Sequence, residues 1–298
     1  MRKTGSFWYA EDKKRGGDLR LKKKWFIPLG ILALSSWFLY RENNQIDTTA
    51  VTVQSDKLPA AFDDYKILQI ADLHGKSFGS RQTHLLKKID QLQPDLILMT
   101  GDLIDSRRDG EADALLLMEK LTADYPVYFV TGNHEVRRNF TILPKLEQLG
   151  VTVLRNTSVP LEREGQFIEL LGIDDPTTTR WSEGLQEPDG IRQSLDQAQS
   201  AVDTSAFQLL MAHRPEYLPL YAERNMDLVL SGHAHGGQIR LPLTDGMYAP
   251  GQGFFPELTA GQHTIEQTKM IISRGLGNSL FPFRIFNHPE LIVVTLRT

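Results

Sequence analysis

The sequence contains no cysteine. No disulfide can staple the fold and no thiolate can hold a metal, so any metal site must rest on His, Asp, Glu or Asn. The lack of cysteine permits an oxidising compartment without requiring one. Internal repeats and low-complexity tracts are absent. An excess of positive charge is also missing: 33 Lys and Arg stand against 37 Asp and Glu, a net charge of −4, which argues against a chain built mainly to hold nucleic acid. What is present is 298 residues with 41% hydrophobic and 23% charged side chains. That suffices for the core of one large α/β domain and excludes global disorder.

Charge is unevenly spread. Residues 1–24 carry nine Lys and Arg against three acidic residues, a net of +6, which leaves −10 for the rest of the −4 chain. Such a head suits a nucleic-acid arm, a disordered tail or a topology signal. The segment that follows, residues 25–40, reads WFIPLGILALSSWFLY and has 16 uncharged residues. It is short for a spanning helix of about 17–25 residues and slightly long for a signal-peptide core of about 7–15. Trp25, Trp37 and Tyr40 sit near its ends, as interfacial aromatics do, and no small-x-small cleavage site follows. It reads as an uncleaved transmembrane signal anchor, ahead of a cleaved signal peptide or a buried helix. The positive-inside rule then puts residues 1–24 in the cytoplasm as a basic tail. A single-pass protein of the cell membrane results, with an extracytoplasmic domain. No twin Arg precedes the apolar run. Residues 41–60 are polar without helical periodicity and read as a linker; residues 61–298 form the domain.

From Tyr65 onward, short apolar runs alternate with amphipathic stretches. KILQIADLH, DLILMTGD and PVYFVTGNHE read as strands; HLLKKIDQL, ADALLLMEKLTA and ILPKLEQLG read as helices, the last closed by Gly150. This β-α-β-α-β rhythm predicts a parallel sheet with right-handed crossovers. VTVLRN, FIELLGID, FQLLMAH, DLVLSGHAHGG, MIISRGLG and LIVVTLR read as further strands. Asp72 with His74, Asp102, Asn133 with His134, His213, and His233 with His235 each follow directly on an apolar strand. Polar groups at carboxyl ends of strands in open α/β sheets gather on one edge.

Asp72 and His74 stand two residues apart, so both can face one point from an extended chain. A carboxylate such as Asp102 has two oxygens and can bridge two cations. Asn133 offers a neutral carbonyl oxygen, and His213, His233 and His235 offer imidazole nitrogens. This nitrogen–oxygen set suits Mn, Fe, Zn, Co or Ni better than Ca, which prefers oxygen alone. Two such ions would clamp a phosphoryl group and activate a water.

The motifs D-x-H (Asp72, His74), G-D-x-x-D (Gly101, Asp102, Asp105), G-N-H-E (Gly132, Asn133, His134, Glu135), the lone His213, and G-H-x-H (Gly232, His233, His235) occur in that order. In this they resemble the calcineurin-like metallophosphoesterases, over residues 61–298. The resemblance implies a sandwich of two mixed β-sheets flanked by helices, preceded here by the N-terminal transmembrane helix. It implies two divalent metals, manganese favoured: one on Asp72, His74 and His235, the other on Asn133, His213 and His233, with Asp102 bridging. It also implies that His134 is the catalytic histidine outside the ligand sets and that Asp105 orients it. Gly236-Gly237-Gln238, the block from Ser273 to Gly277, and Pro289-Glu290 look like the membrane-anchored or exported bacterial phosphodiesterase branch.

The expected reaction is hydrolysis of a phosphodiester or diphosphate bond in a phosphorylated small molecule or a lipid or cell-envelope substrate. The rival enzyme reading is a nuclease or cyclic-nucleotide phosphodiesterase, against which the acidic domain and the anchor weigh. The rival outside the enzymes is a non-catalytic scaffold, which need not keep these ligands and His134. His84, His263 and His288 read as surface or structural residues. Glu135 reads as a helix-start or supporting residue, Asp174 and Asp175 as a turn, and Arg107 and Arg108 as a solvated loop. Arg274 is divided between packing and a role in binding substrate or supporting the site. The Phe-rich loops 251–258 and 280–286 read as core filling or as an apolar lip carrying Phe254, Phe255, Phe281 and Phe283. The sequence does not say which oligomer forms.

Overall fold

The computed structural model describes residues 16–241, 245–279 and 281–298, with backbone alone for residues 16–25. The chain divides into two compact units, Met1–Arg41 and Glu42–Thr298. Helix α1 (Gly16–Asn44) covers the apolar segment, with Pro28 inside it. Along it Phe26, Ile27, Leu29, Ile31, Leu32 and Leu34 are exposed. The expectation of a transmembrane helix is corrected here: among the described residues no helix is long and apolar enough to cross a membrane. The physical reason is dilution, since Lys24 and Arg41 bound a run that itself holds Pro28, Ser35 and Ser36. Arg2, Lys3, Lys13, Lys14 and Arg15 of the expected basic tail lie outside the described residues.

In the second unit the elements follow in the order β1 (Asp47–Gln54), β2 (Lys66–Ile70), α2 (Thr83–Leu92), β3 (Leu96–Thr100), α3 (Glu111–Asp124), β4 (Val127–Val130), α4 (Asn133–Arg137), α5 (Leu143–Gln148) and β5 (Thr152–Val153). Then come β6 (Thr157–Arg163), β7 (Gln166–Gly172), α6 (Thr177–Glu183), α7 (Glu187–Gln199), β8 (Gln208–Met211), α8 (Leu218–Glu223) and β9 (Leu228–Ser231). The chain ends with the two-stranded β10 (Tyr248–Ala249) and β11 (Gly253–Phe254), then β12 (Gly261–Ile265), β13 (Thr268–Ile272) and β14 (Glu290–Arg297).

Among the described residues these strands build two six-stranded sheets, ordered β1-β14-β2-β3-β4-β5 and β12-β13-β9-β8-β7-β6. Both are mixed. β14 runs antiparallel to β2, while β2, β3, β4 and β5 are mutually parallel. In the second sheet β7, β8, β9 and β13 are parallel and the edges β6 and β12 antiparallel. This is the α/β sandwich of two mixed sheets flanked by helices.

Side-chain alternation explains the layering. In β3, Leu96 and Leu98 join the core between the sheets, where Leu209 and Met211 of β8 also lie. Ile97 and Met99 turn to the other face and meet Leu85 and Ile89 of α2 and Leu117 and Leu121 of α3. On the far side, Leu210 and Val229 pack with Ile191 and Leu195 of α7. Each such fully buried aliphatic side chain contributes about 1.5–3 kcal/mol relative to exposure. One polar side chain crosses the middle layer: Gln69 donates from Nε2 to Ser231 O at 2.8 Å and Thr100 Oγ1 at 3.1 Å.

Residues 41–60, expected as a linker, contain β1, which pairs in parallel with β14 from Asp47 opposite Glu290 to Gln54 opposite Arg297. The domain therefore begins near residue 42 rather than 61. DTTAVTVQ has no apolar face that contrasts with its neighbours, and its outward positions stay exposed. An edge strand of this kind is stabilised by its ladder, which a one-dimensional pattern does not show.

Candidate metal centre

The parallel strands deliver their carboxyl ends to one edge. The turns after β2, β3, β4, β8 and β9 carry Asp72 and His74, Asp102, Asn133 and His134, His213, and His233 and His235 in turn. All are buried. The structure thus brings together every residue of the expected set. Asp102 Oδ2 is the hub, 3.3 Å from His213 Nε2, 3.6 Å from His74 Nε2 and 4.0 Å from His134 Nε2. On one side His74 Nε2 lies 3.1 Å from His235 Nε2, which is 3.6 Å from Asp72 Oδ1. On the other, His213 Nε2 lies 3.2 Å from His233 Nδ1. Asp72, His74, Asp102 and His235 form one potential metal-holding group, and Asp102, His213 and His233 another. Asn133 Oδ1 is buried without a hydrogen-bond partner in the same site.

The backbone bends sharply to achieve this. Asp72, His74, Asp102, His233 and His235 have φ between 50° and 67°. Left-handed conformations cost non-glycine residues about 1–3 kcal/mol each and persist where the surroundings over-determine them. Two glycines make the close approach feasible. A Cβ on Gly101, itself at φ 89°, would stand 2.6 Å from His213 Nδ1, and one on Gly132 would collide with Asp102 Oδ1.

The donor set fits divalent cations. His213 Nδ1 faces Thr100 O at 2.8 Å, which makes it an N–H donor and turns Nε2 to the site. Burial lowers His74 to about 3, against the pull of Asp102. Burial, with the neighbouring Arg214 and His213, holds His233 well below the ordinary histidine value. Burial, with His74 and Arg284, does the same for His235. These rings are neutral and can offer nitrogen lone pairs. His213 differs: burial opposes its charge, but Asp102 and then Asp72 and Asp175 raise it to about 10. Burial pushes Asp72 up to about 7, although it accepts the His233 N–H at 3.0 Å. Burial also disfavours an ionised Asp102, but His213, His134 and His74 hold it well below the usual carboxylate range. Two buried carboxylates beside the neutral rings of His74, His233 and His235, with orphaned atoms at Asn133 Oδ1 and His233 Nε2, are the chemistry of a divalent-cation site, and the charge that Asp102 draws onto His213 is one that a cation there would replace.

His134 opens α4 and its N–H donates to Asp102 Oδ1 at 2.9 Å. Its Nδ1 has two neighbours, the Ser106 N–H at 2.8 Å and Asp105 Oδ1 at 3.3 Å. The shorter contact makes Nδ1 an acceptor in the neutral ring, which places the proton on Nε2; a charged ring gives Nδ1–H to Asp105 instead. Burial opposes that charge, but Asp102, Asp105 and Glu135 outweigh it and raise His134. Asp105 is held below its ordinary value against burial by the His134 bond and the Arg107 N–H. Both forms leave a proton on Nε2, facing the site.

Residues behind this set hold its backbone and side chains in place. Glu135, expected only as a helix-start or supporting residue, accepts the N–H groups of Asp102 (2.9 Å), Gly132 (2.8 Å) and Ile104 (3.1 Å). Asp175, expected in a turn, opens one, accepting the Thr178 N–H on its carbonyl and the Thr177 N–H on Oδ1, both at 2.9 Å; it also pairs with both Nε and a terminal nitrogen of buried Arg214, at 2.7 and 3.2 Å. Asp174 likewise is buried and binds Arg155 and Thr131. Sequence reasoning missed Arg214, although it directly follows His213. It also missed Arg284, fully buried, whose guanidinium reaches Gly277 O and Arg274 O and lies 3.5 Å from His235 Nδ1. Arg274 is bound to Glu290 at 3.0 Å and to Asp47 at 3.4 Å. His288 sits between Glu42 and Asp47, and His263 contacts Ala260 O.

Over the centre lies a cleft of about 540 Å³ lined by Asp102, Asn133, His134, His233 and His235 and walled by Arg107, Arg137, Arg180, Trp181, Arg214 and Tyr248. Arg107, expected in a solvated loop, is therefore part of the wall, while Arg108 binds Asn278 O and Ser279 O. The arginines make the cleft attractive to anions.

The sequence model described as calcineurin-like phosphoesterase matches residues 65–237. Among curated proteins the chain is 30% identical to "Uncharacterized metallophosphoesterase YkuE" of Bacillus subtilis (strain 168), over 87% of this chain and 88% of that protein. It is 29% identical to "Phosphodiesterase YaeI" of Escherichia coli (strain K12), over 78% and 82% of the two chains. "Transmembrane protein with metallophosphoesterase domain" of Danio rerio is 27% identical, over 97% of this chain and 65% of that protein.

Proposed function

The chain belongs to the calcineurin-like phosphoesterase family, and from that premise we propose that it is a two-metal hydrolase of phosphodiester or diphosphate bonds. Members of this family use divalent metal ions, and the clustered His and Asp side chains suit them. The observation that carries the reading is the convergence of Asp72, His74, Asp102, Asn133, His213, His233 and His235 beneath an arginine-walled cleft. Asp72, His74 and His235 would hold one ion, Asn133, His213 and His233 the other, and Asp102 both; manganese is the ion we favour. Bound there, the ions would supply Lewis acidity to the phosphoryl oxygens and an activated water.

The chain's own residues do the rest. Arg137 and Arg180, exposed on the wall of the cleft, draw the anionic substrate in. Asp105 and the Ser106 N–H aim the His134 ring. Its Nε2 proton passes to the leaving oxygen as the ester bond breaks.

We further propose that α1 seats the protein on a membrane, on the strength of its run of exposed apolar residues, and that the substrate is a lipid or cell-envelope phosphate. The Danio rerio relative, named a transmembrane protein, supports the membrane seating, and YaeI, named a phosphodiesterase, supports the reaction class. The test is hydrolysis of bis-p-nitrophenyl phosphate by the full chain in detergent, with Mn²⁺ and with a chelator. Metal-dependent turnover that disappears in Asn133→Ala is expected. Turnover indifferent to the chelator would refute the two-metal reading.

A further inference from the structure

The aromatic residues that the core does not absorb share one strip of backbone. Residue 285 bridges residue 239, the Met247 N–H donates to Ile239 O, and Tyr248 pairs with Phe254 across β10 and β11. Phe254 and Phe255 are 74% and 70% exposed. Phe281, Phe283 and Phe286 on the neighbouring loop are each about half exposed. A soluble face gains nothing from so many exposed phenylalanines, and a contiguous apolar patch marks an interaction site. Tyr248 and Ser279, beside these phenylalanines in the chain, also line the catalytic cleft, so the rim borders its mouth.

The chain enters the body at the same place. β1 starts at Asp47 opposite Glu290, and β14 runs antiparallel to β2. The starts of β1 and β14 therefore lie at the carboxyl end of β2, the edge that carries the metal centre. Buried Asn43 accepts the Arg284 N–H at 3.0 Å and Asn278 Nδ2 at 3.1 Å through its Oδ1, and Glu42 accepts the Asn287 N–H at 3.2 Å. Lys76 Nζ adds a bond to Asn43 O. The last turn of the apolar helix is thus bonded into the loop that bears Phe281, Phe283 and Phe286.

We propose that this aromatic rim docks on the surface of a lipid bilayer, with the cleft opening toward the membrane so that substrate is taken from the lipid phase. The inference rests on the membrane seating of α1. The apolar segment continues directly into Glu42 and Asn43, which are bonded to the rim-bearing loop, so seating that segment in lipid brings the point where the body begins close to the lipid. Aromatic side chains insert readily at such an interface.

The absence of cysteine permits a clean test. Full-length Phe254→Cys, Phe283→Cys, Leu34→Cys and Thr204→Cys variants are each labelled with an environment-sensitive fluorophore. They are mixed with phosphatidylcholine–phosphatidylglycerol vesicles with and without a spin-labelled quencher lipid. Leu34 lies on α1, and Thr204 is exposed in the turn that feeds the opposite end of β8. The expected result is a blue shift and lipid-dependent quenching at positions 254, 283 and 34, with none at 204. Quenching at 34 alone would keep the membrane seating and overturn the docking of the rim. Quenching at none would overturn both. A blue shift at 254 and 283 without vesicles, growing with protein concentration, would assign the rim to a second copy of the chain and overturn the lipid surface.

Discussion

His134 and Glu135 are neighbours with different work. His134 belongs to neither proposed ligand set and presents an Nε2 proton to the cleft. His134→Ala should lower kcat by about 10²–10⁴-fold while bound metal, read by elemental analysis, is unchanged. Metal loss in that variant would make His134 a ligand rather than an acid. Glu135 holds three backbone N–H groups with one carboxylate. An amide in its place must turn an NH₂ toward at least one of those donors. Glu135→Gln should therefore cost about 1–3 kcal/mol, the penalty of an unsatisfied buried group, seen as a lower urea midpoint. Unchanged stability would mean that the Asp102 and Gly132 turns hold themselves.

At the scale of elements, the parallel strands of both sheets position the centre, and their inner faces make the middle core. Leu98 of β3 is fully buried there and lies four residues from Asp102. Leu98→Ala should destabilise the fold by about 2–5 kcal/mol with metal affinity largely kept, since the turn after β3 is held separately by Glu135. Helices α2, α3 and α5 and the parallel strands were legible because their apolar spacing is regular; α6, α7 and α8 were not read as helices. β1, β6 and β12 were not read as strands. Their exposed, polar edge positions have no period that stands out from a loop, and their partners lie far away in sequence, at β14, β7 and β13.

For the whole molecule, two linkages follow from buried charge. Burial disfavours an ionised Asp175, but Arg214 and the Thr177 hydroxyl outweigh it and lower its pKa. A depressed folded value means that its contribution is complete above the unfolded carboxyl value of about 3.9. The contribution is then lost as pH falls through the lower folded value. Asp175→Asn should therefore be less stable near neutral pH and should flatten the acid limb of a plot of Tm against pH. An acid limb parallel to the parent's would show that other carboxylates set it. Metal acts in the same way: Mn²⁺ at about 100 times its Kd should add about 2.7 kcal/mol, reversed by chelator and weakened in Asn133→Ala. No shift in Tm with Mn²⁺ would remove the metal from the native state.

The sequence by itself determined the order of the motifs, the chemistry of each polar tip and the parallel strands that present them, because these depend on local spacing and on residue type. Tertiary structure alone decided the rest. It put Asp175 and Arg214 together across 39 residues, set buried Arg284 behind His235, made a strand of the expected linker, and brought the helix root to the aromatic rim. Each of these is a pairing between segments remote in sequence. Its free energy comes from burial and hydrogen bonds made after the chain has closed on itself, and no window along the sequence contains both partners.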